Sequence, residues 1–220
     1  MTALHFDHQP TGSSPASFSP DLGARRAYFD GLYEEKDPYG TRNRWYEQRK
    51  RHILLSALPR ASFESAFEPA CGTGELTREL AGRCDHVLAS DFCDAALAQA
   101  RQRLHRCDNV SIDCHQIPLQ WPEGEGPFDL IVVSEVCSFL DAEEIRAVAL
   151  RCGTSLGDKG VLVVCDWRWP FDARVIRAEA AHEIFDRAGL HRLVRHEEDD
   201  FLLSLWSVSP DSVARRETLV

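Results

Sequence analysis

Phe67-Glu68-Pro69-Ala70-Cys71-Gly72-Thr73-Gly74-Glu75-Leu76 is the stretch whose reading decides the fold. An apolar-flanked run over 63–67 ends in an acidic residue. A loop of small residues follows, and Leu76, Leu80 and Ala81 then recur at helical spacing. The pattern predicts strand, tight turn, helix. Gly72 and Gly74 carry no Cβ, so ligand atoms can approach the backbone there. The free N–H groups of the helix start point at whatever sits in the turn.

The residues around the turn narrow the ligand. A dinucleotide fingerprint requires Gly-x-Gly-x-x-Gly, and its third glycine would fall at Thr77. Glu68 would repel a pyrophosphate and favour a cation. S-adenosylmethionine carries an ammonium and a sulfonium and no phosphate. The stretch resembles motif I of the class I S-adenosylmethionine-dependent methyltransferases, with Ala70 in the place of the first glycine. On the turn alone, an ordinary glycine-rich connection between strand and helix is the alternative. A second anchor is His86-Val87-Leu88-Ala89-Ser90-Asp91. An acid about 20 residues beyond the loop can accept both ribose hydroxyls of an adenosine, and this position resembles motif II of the same family. A cap on the next helix, through N–H groups near Ala95, is the other reading of Asp91.

Composition sets the bounds. The chain has 220 residues, enough for one sizeable core. Its net charge of -10 argues against an electrostatic grip on nucleic acid or an anionic membrane. No run approaches the roughly 18 apolar residues of a membrane span. No basic region followed by an apolar core marks a secretory signal, so a cytoplasmic location is expected. Eight cysteines include no Cys-x-x-Cys pair and no zinc-like grouping with histidine. They read as buried thiols acting as small hydrophobes in a reducing cytoplasm, Cys114 and Cys165 lying inside apolar strand-like runs, and no metal is expected.

Taken in order, residues 1–20 are rich in Pro, Ser and Gly without periodicity, which predicts a disordered arm. Residues 21–58 read as two helices forming an N-terminal lid, dense in aromatics, which either pack on the sheet or exclude water from a site. From 59 to 208, strand-like runs at 63–67, 87–89, 110–114, 130–134 and 161–165 alternate with helical patterns at 75–81, 94–104, 142–156 and 174–188. Residues 157–160 read as a helix stop. This is the rhythm of a Rossmann-like α/β domain, a mostly parallel sheet with helices on both faces. Runs at 191–196 and 201–208 suggest a terminal hairpin that adds an antiparallel strand. Residues 209–220 read as a frayed tail.

Such a sheet binds its ligand at the carboxyl ends of the strands. The residues there are Glu68, Asp91, His115 with Gln116, Ser134 with Glu135, and Asp166. Residues 28 to 206 resemble the nodulation protein S-type N-methyltransferases. The resemblance is carried by Trp45-Tyr46-Glu47 with Arg49-Lys50, Glu68-Pro69-Ala70-Cys71, Ala89-Ser90-Asp91, the run from Phe128 to Val136, Trp167-Arg168, and Phe201-Leu202-Leu203 with Trp206. It implies methyl transfer from S-adenosylmethionine to the free amine of a deacetylated chitooligosaccharide or a related small molecule. It also implies a cofactor site of Glu68, Ala70, Gly72, Gly74, Asp91, Phe92, Gln116, Ile117, Ser134 and Trp45. Cys114-His115-Gln116-Ile117-Pro118 lacks the acid that many class I enzymes place near the adenine, so Gln116 or backbone groups must meet the adenine amine. Glu135 is the expected catalytic carboxylate, accepting a proton or holding a cationic acceptor, unless it serves only as an acid at a helix start. Asp166 is second. Tyr33 and Trp45 either line the methyl site or pack. Two other functions stay open at this point: a non-catalytic S-adenosylmethionine-binding regulator, and a nicotinamide-dependent oxidoreductase.

Overall fold

The computed structural model describes residues 22–220; the arm expected over 1–20 lies outside them. Two helices, α1 (Leu22–Leu32) and α2 (Trp45–Ala57), precede the sheet. There follow β1 (Phe63–Pro69), α3 (Glu75–Ala81), β2 (Cys84–Asp91), α4 (Asp94–Leu104), β3 (Val110–Cys114), β4 (Phe128–Ser134), a 3₁₀ turn at Cys137–Phe139 and α5 (Ala142–Ser155). The chain closes with β5 (Leu156–Trp167), α6 (Ala178–Phe185), β6 (His191–Glu197), β7 (Phe201–Ser207) and the short α7 (Val213–Arg216).

The seven strands lie in the order β3-β2-β1-β4-β5-β7-β6. The first five pair in parallel, and β7 runs antiparallel to both β5 and β6. The chain winds outward from β1 to β3 and then crosses back to place β4 on the other side of β1. That reversal opens a crevice at the carboxyl ends of β1 and β4.

The continuous apolar runs are explained by burial on both faces. One face sets Phe67, Ile131, Val133, Leu162 and Val164 against Ile145, Val148 and Phe185 of α5 and α6. The other sets Ala66, Leu130, Val132 and Val163 against Leu54, Leu76 and Leu80 of α2 and α3. Each such side chain contributes about 1.5–3 kcal/mol when fully buried. Helix α2 is therefore held in place by core packing, which matters for Lys50, one turn before Leu54 on the same buried face.

Four features differ from expectation. Residues 157–160 join β5, because Leu156 turns extended directly after α5 and pairs with Phe128, with a register shift before Val161. Helix α6 starts four residues later than expected: the Val175 amide donates to the Ser138 carbonyl (2.7 Å) and the Arg174 guanidinium to the Arg168 carbonyl (2.8 Å), contacts that hold 174–177 as a strap. Cys114 is exposed, since β3 is an edge strand. Past Pro210, α7 is one helical turn, capped by Ser212 and tied to Ser207 Oγ by Arg216. No helix among the described residues is long and apolar enough to cross a membrane.

Candidate active site

The loop after β1 turns through left-handed backbone at Ala70 (φ 57°), Gly72 (φ 55°) and Gly74 (φ 77°). Ala70 thus adopts the conformation that the family's first glycine takes without strain. A Cβ on Gly74 would stand 2.9 Å from Leu104 Cδ1, and one on Gly72 would stand 3.0 Å from the Tyr33 hydroxyl. The loop is closed by Cys71 N–H donating to the Ser90 carbonyl and by Gly72 N–H donating to Asp91 Oδ2, both 2.9 Å. Asp91 Oδ1 accepts from the Cys93 amide at 2.9 Å. The bond goes to Cys93 and no side chain caps α4, so the helix-capping reading of Asp91 is not what the structure adopts. A carboxylate has about four acceptor sites. Two are spent on the loops, which leaves capacity for hydroxyl donors.

Glu68 lies one residue before the end of β1, is 4% exposed, and accepts the Thr77 hydroxyl at 2.6 Å. Burial pushes its carboxyl up to about 8, the Thr77 bond works against this and the Asp91 carboxylate adds to it. Burial likewise raises Asp91, against the pull of the amides of Cys93, Gly72 and Phe92. Among the described residues neither carboxylate has an ion-pair partner. Two buried acids beside a glycine loop suit a ligand with an ammonium and a ribose diol.

Across the crevice, Glu135 follows β4 in left-handed backbone (φ 60°). Its Oε1 accepts from Lys50 Nζ at 2.6 Å and its Oε2 from the Trp167 amide at 3.0 Å. Lys50 is 5% exposed, also meets Glu47 at 3.1 Å, and lies 5.1 Å over the Tyr46 ring. Burial opposes its charge, yet Glu135 and Glu47 hold it well above the ordinary lysine range. The Glu135 carboxyl is raised, chiefly by burial, with Lys50 pulling it down and Glu47 and Asp166 pushing it up. Asp166 is fully buried at the end of β5. Its Oδ2 lies 3.3 Å from His182 Nε2, whose Nδ1 meets Ser204 Oγ at 2.9 Å. Asp166 therefore faces inward, below Glu135.

Helix α1 covers the crevice. Phe29 packs edge-on to Phe92 (5.5 Å) and Phe139 (4.8 Å). Arg25 forms a two-pronged ion pair with Glu144 (3.0 and 2.9 Å) at the start of α5. The remaining expected residues divide. Ser134 pairs with Cys165 at the sheet's carboxyl edge. The Gln116 backbone N–H donates to Gln120 Oε1, and Ile117 is buried in the core. Trp45 stands apart: it is 70% exposed and lines a groove with Arg49, His52, Val194 and His196. Sequence reasoning assigned no site role to Lys50, Glu47 or Thr77. The available signal was the spacing of Tyr46, Glu47 and Lys50, which shares one face of a helix.

Residues 66–160 match the methyltransferase domain family. A solved structure from Pseudomonas syringae, described as a candidate methyltransferase, is 42% identical over 74% of this chain and 99% of that one, with a TM-score of 0.66. This chain belongs to the S-adenosylmethionine-dependent methyltransferases. The N-methyltransferase NodS from Bradyrhizobium japonicum WM9, solved with S-adenosyl-L-homocysteine, is 26% identical over 84% of this chain and 98% of its own, with a TM-score of 0.73. An S-adenosylmethionine-dependent methyltransferase from Clostridium acetobutylicum shares the fold at 14% identity and a TM-score of 0.63. Among curated proteins no match is found. The cofactor of this methyltransferase is S-adenosylmethionine, and the nicotinamide and non-catalytic readings are set aside.

Proposed function

We propose that this methyltransferase alkylates the amine nitrogen of a small molecule or of an aminosugar in an oligosaccharide, with Glu135 holding the acceptor. The observation that carries the reading is the Glu135 carboxylate, fixed at the end of β4 by Lys50 and the Trp167 amide, with Glu47 and Asp166 behind it. The likeness to an N-methyltransferase, NodS, supports it. Asp91 takes the ribose hydroxyls, Glu68 the ammonium of the cofactor, and Ala70, Gly72 and Gly74 let the ligand reach the backbone. Phe92, Gln116 and Ile117 bound the adenine, and Ser134 lies beside the transferred group. Residues 21–58 form the lid, its described part closing over the loop through Tyr33. The free thiols suit a reducing cytoplasm.

S-adenosylmethionine supplies a methyl group made electrophilic by its sulfonium. The acceptor nitrogen uses its lone pair to form the N–C bond as the S–C bond breaks toward sulfur, and positive charge moves to nitrogen. Glu135 accepts N–H bonds from the amine and stabilises that charge as it develops. The lid keeps water out and the two partners aligned. Incubation with methyl-deuterated S-adenosylmethionine and a panel of amines, including deacetylated chitooligosaccharides and their acetylated counterparts, followed by mass spectrometry, tests this. Label on hydroxyl or acetylated compounds and never on free amines would sink the amine reading.

A further inference from the structure

Tyr46, Glu47 and Lys50 stand out in the sequence, and the cofactor site does not use them. Glu47 and Lys50 are three positions apart, and Tyr46 and Lys50 four, so all share one face of α2. Leu54, one turn further along the same face, sits in the core, and Tyr46 packs against that core. Packing therefore drives a lysine, 5% exposed, onto the carboxylate at the end of β4. The ammonium reaches Glu135 at 2.6 Å and Glu47 at 3.1 Å. Counted by charge, two carboxylates and one ammonium leave one negative charge over. A surplus charge in a half-buried site calls for a cationic occupant.

We propose that Lys50 is a positioning residue that holds Glu135 ionised and aimed, so that the acceptor side of the site recognises positive charge. The proposal rests on Glu135 facing the transferred methyl. Lys50 cannot itself take a proton from the acceptor, because its carboxylate partners keep it an ammonium. Its contact with Oε1 and the Trp167 amide on Oε2 together fix the plane of the Glu135 carboxylate. The groups facing Glu135 are Tyr46, Glu47 and Lys50 of α2, Tyr39 of the turn before it, Cys165 and Asp166 of β5, and Cys137 of the 3₁₀ turn. Lys50 is the cation among them.

The test compares two ligands across pH. S-adenosyl-L-homocysteine is neutral at sulfur, whereas sinefungin carries an ammonium where the methylsulfonium stands. Their affinity ratio, from calorimetry between pH 5 and 9, reads cation recognition at the point of transfer. The ammonium's own titration is common to every variant. In the wild type the ratio favours sinefungin and falls on the acid side, where Glu135 protonates. In Lys50→Met the fall moves to higher pH by about 1–3 units, the effect of removing a neighbouring opposite charge. Lys50→Arg keeps the wild-type profile, and Glu47→Gln moves the fall to lower pH. A folded Lys50→Met with an unmoved profile overturns the proposal. Should that variant not fold, an unmoved Glu47→Gln profile overturns it equally. A wild type that never distinguishes the two ligands overturns the placement of Glu135, and the proposed function with it.

Discussion

Glu68 gives the sharpest test of how the cofactor is held. It is 4% exposed, bonded to Thr77, and raised by burial from 4.5 to about 8. A carboxyl raised in the folded state keeps its proton while the unfolded chain loses its own. Stability therefore falls as pH climbs from about 4.5 to about 8, by about 1.4 kcal/mol per unit, and is constant outside that window. From pH 5 to 7 the loss is on the order of 3 kcal/mol. Glu68→Gln should remove this slope in thermal or urea unfolding. The ligand end is more telling. A group titrating near 8 is about nine-tenths protonated at pH 7, and a bound ammonium would ionise it. Binding of S-adenosyl-L-homocysteine should then release about 0.9 proton. Calorimetry at pH 7 in phosphate and in Tris reads this from the dependence of the heat on buffer ionisation. Glu68→Gln should lower the release by that amount and weaken binding. Heats that are the same in both buffers for the wild type would refute the placement of the ammonium at Glu68.

Asp91→Ala should weaken S-adenosyl-L-homocysteine by about 1–3 kcal/mol, because it strips an ionic acceptor and loosens the Gly72 and Cys93 amides; equal calorimetric affinities would remove Asp91 from the ribose site. Glu135→Gln should keep the affinity for S-adenosyl-L-homocysteine, which is neutral at sulfur, and lower turnover by a factor that stays flat from pH 7 to 9, since the carboxylate holds charge; a loss that shrinks as pH rises would make it a base instead. Arg25→Met should cut the tie between α1 and α5, lowering stability by about 1–3 kcal/mol and speeding release of S-adenosyl-L-homocysteine in stopped-flow fluorescence. Unchanged release would show that α1 does not gate the site.

Local pattern made much of this protein legible. The acid-loop-acid arrangement from Glu68 to Asp91 and the alternation of short apolar runs with helical spacing are written within windows of a few residues, and they locate β1 to β4 and the loop between. What escaped depends on distant partners. Residues 174–177 have a helical pattern, yet the Ser138 and Arg168 carbonyls compete for their donors. Residues 157–160 carry two glycines and look like a stop, but an open strand edge at Phe128 lies beside them. The sequence Trp45-Tyr46-Glu47-Gln48-Arg49-Lys50-Arg51 mixes aromatic and charged residues whose inward side the pattern leaves open. Only the fold shows that Lys50 is driven inward, while Trp45, the more conspicuous residue, points to a groove elsewhere.

The two ends of the crevice share one electrostatic design. Glu68 and Glu135 end adjacent strands at the switch point, and both carboxyls are raised chiefly by burial. They differ in what opposes that burial. Glu68 has only a hydroxyl, so under the proposed function it waits protonated for the ammonium of the cofactor. Glu135 has Lys50, so the protein supplies a cation of its own before any acceptor arrives. The difference fits the order of events that methyl transfer requires. A cofactor can recruit its carboxylate on binding, by releasing a proton to solvent while the site is open. An acceptor amine must surrender its proton to be nucleophilic, and a neutral acid beside it would return one. In the proposed arrangement, Lys50 holding Glu135 as a carboxylate in advance would remove that proton source from the closed site, at the expense of burying Lys50 between two carboxylates.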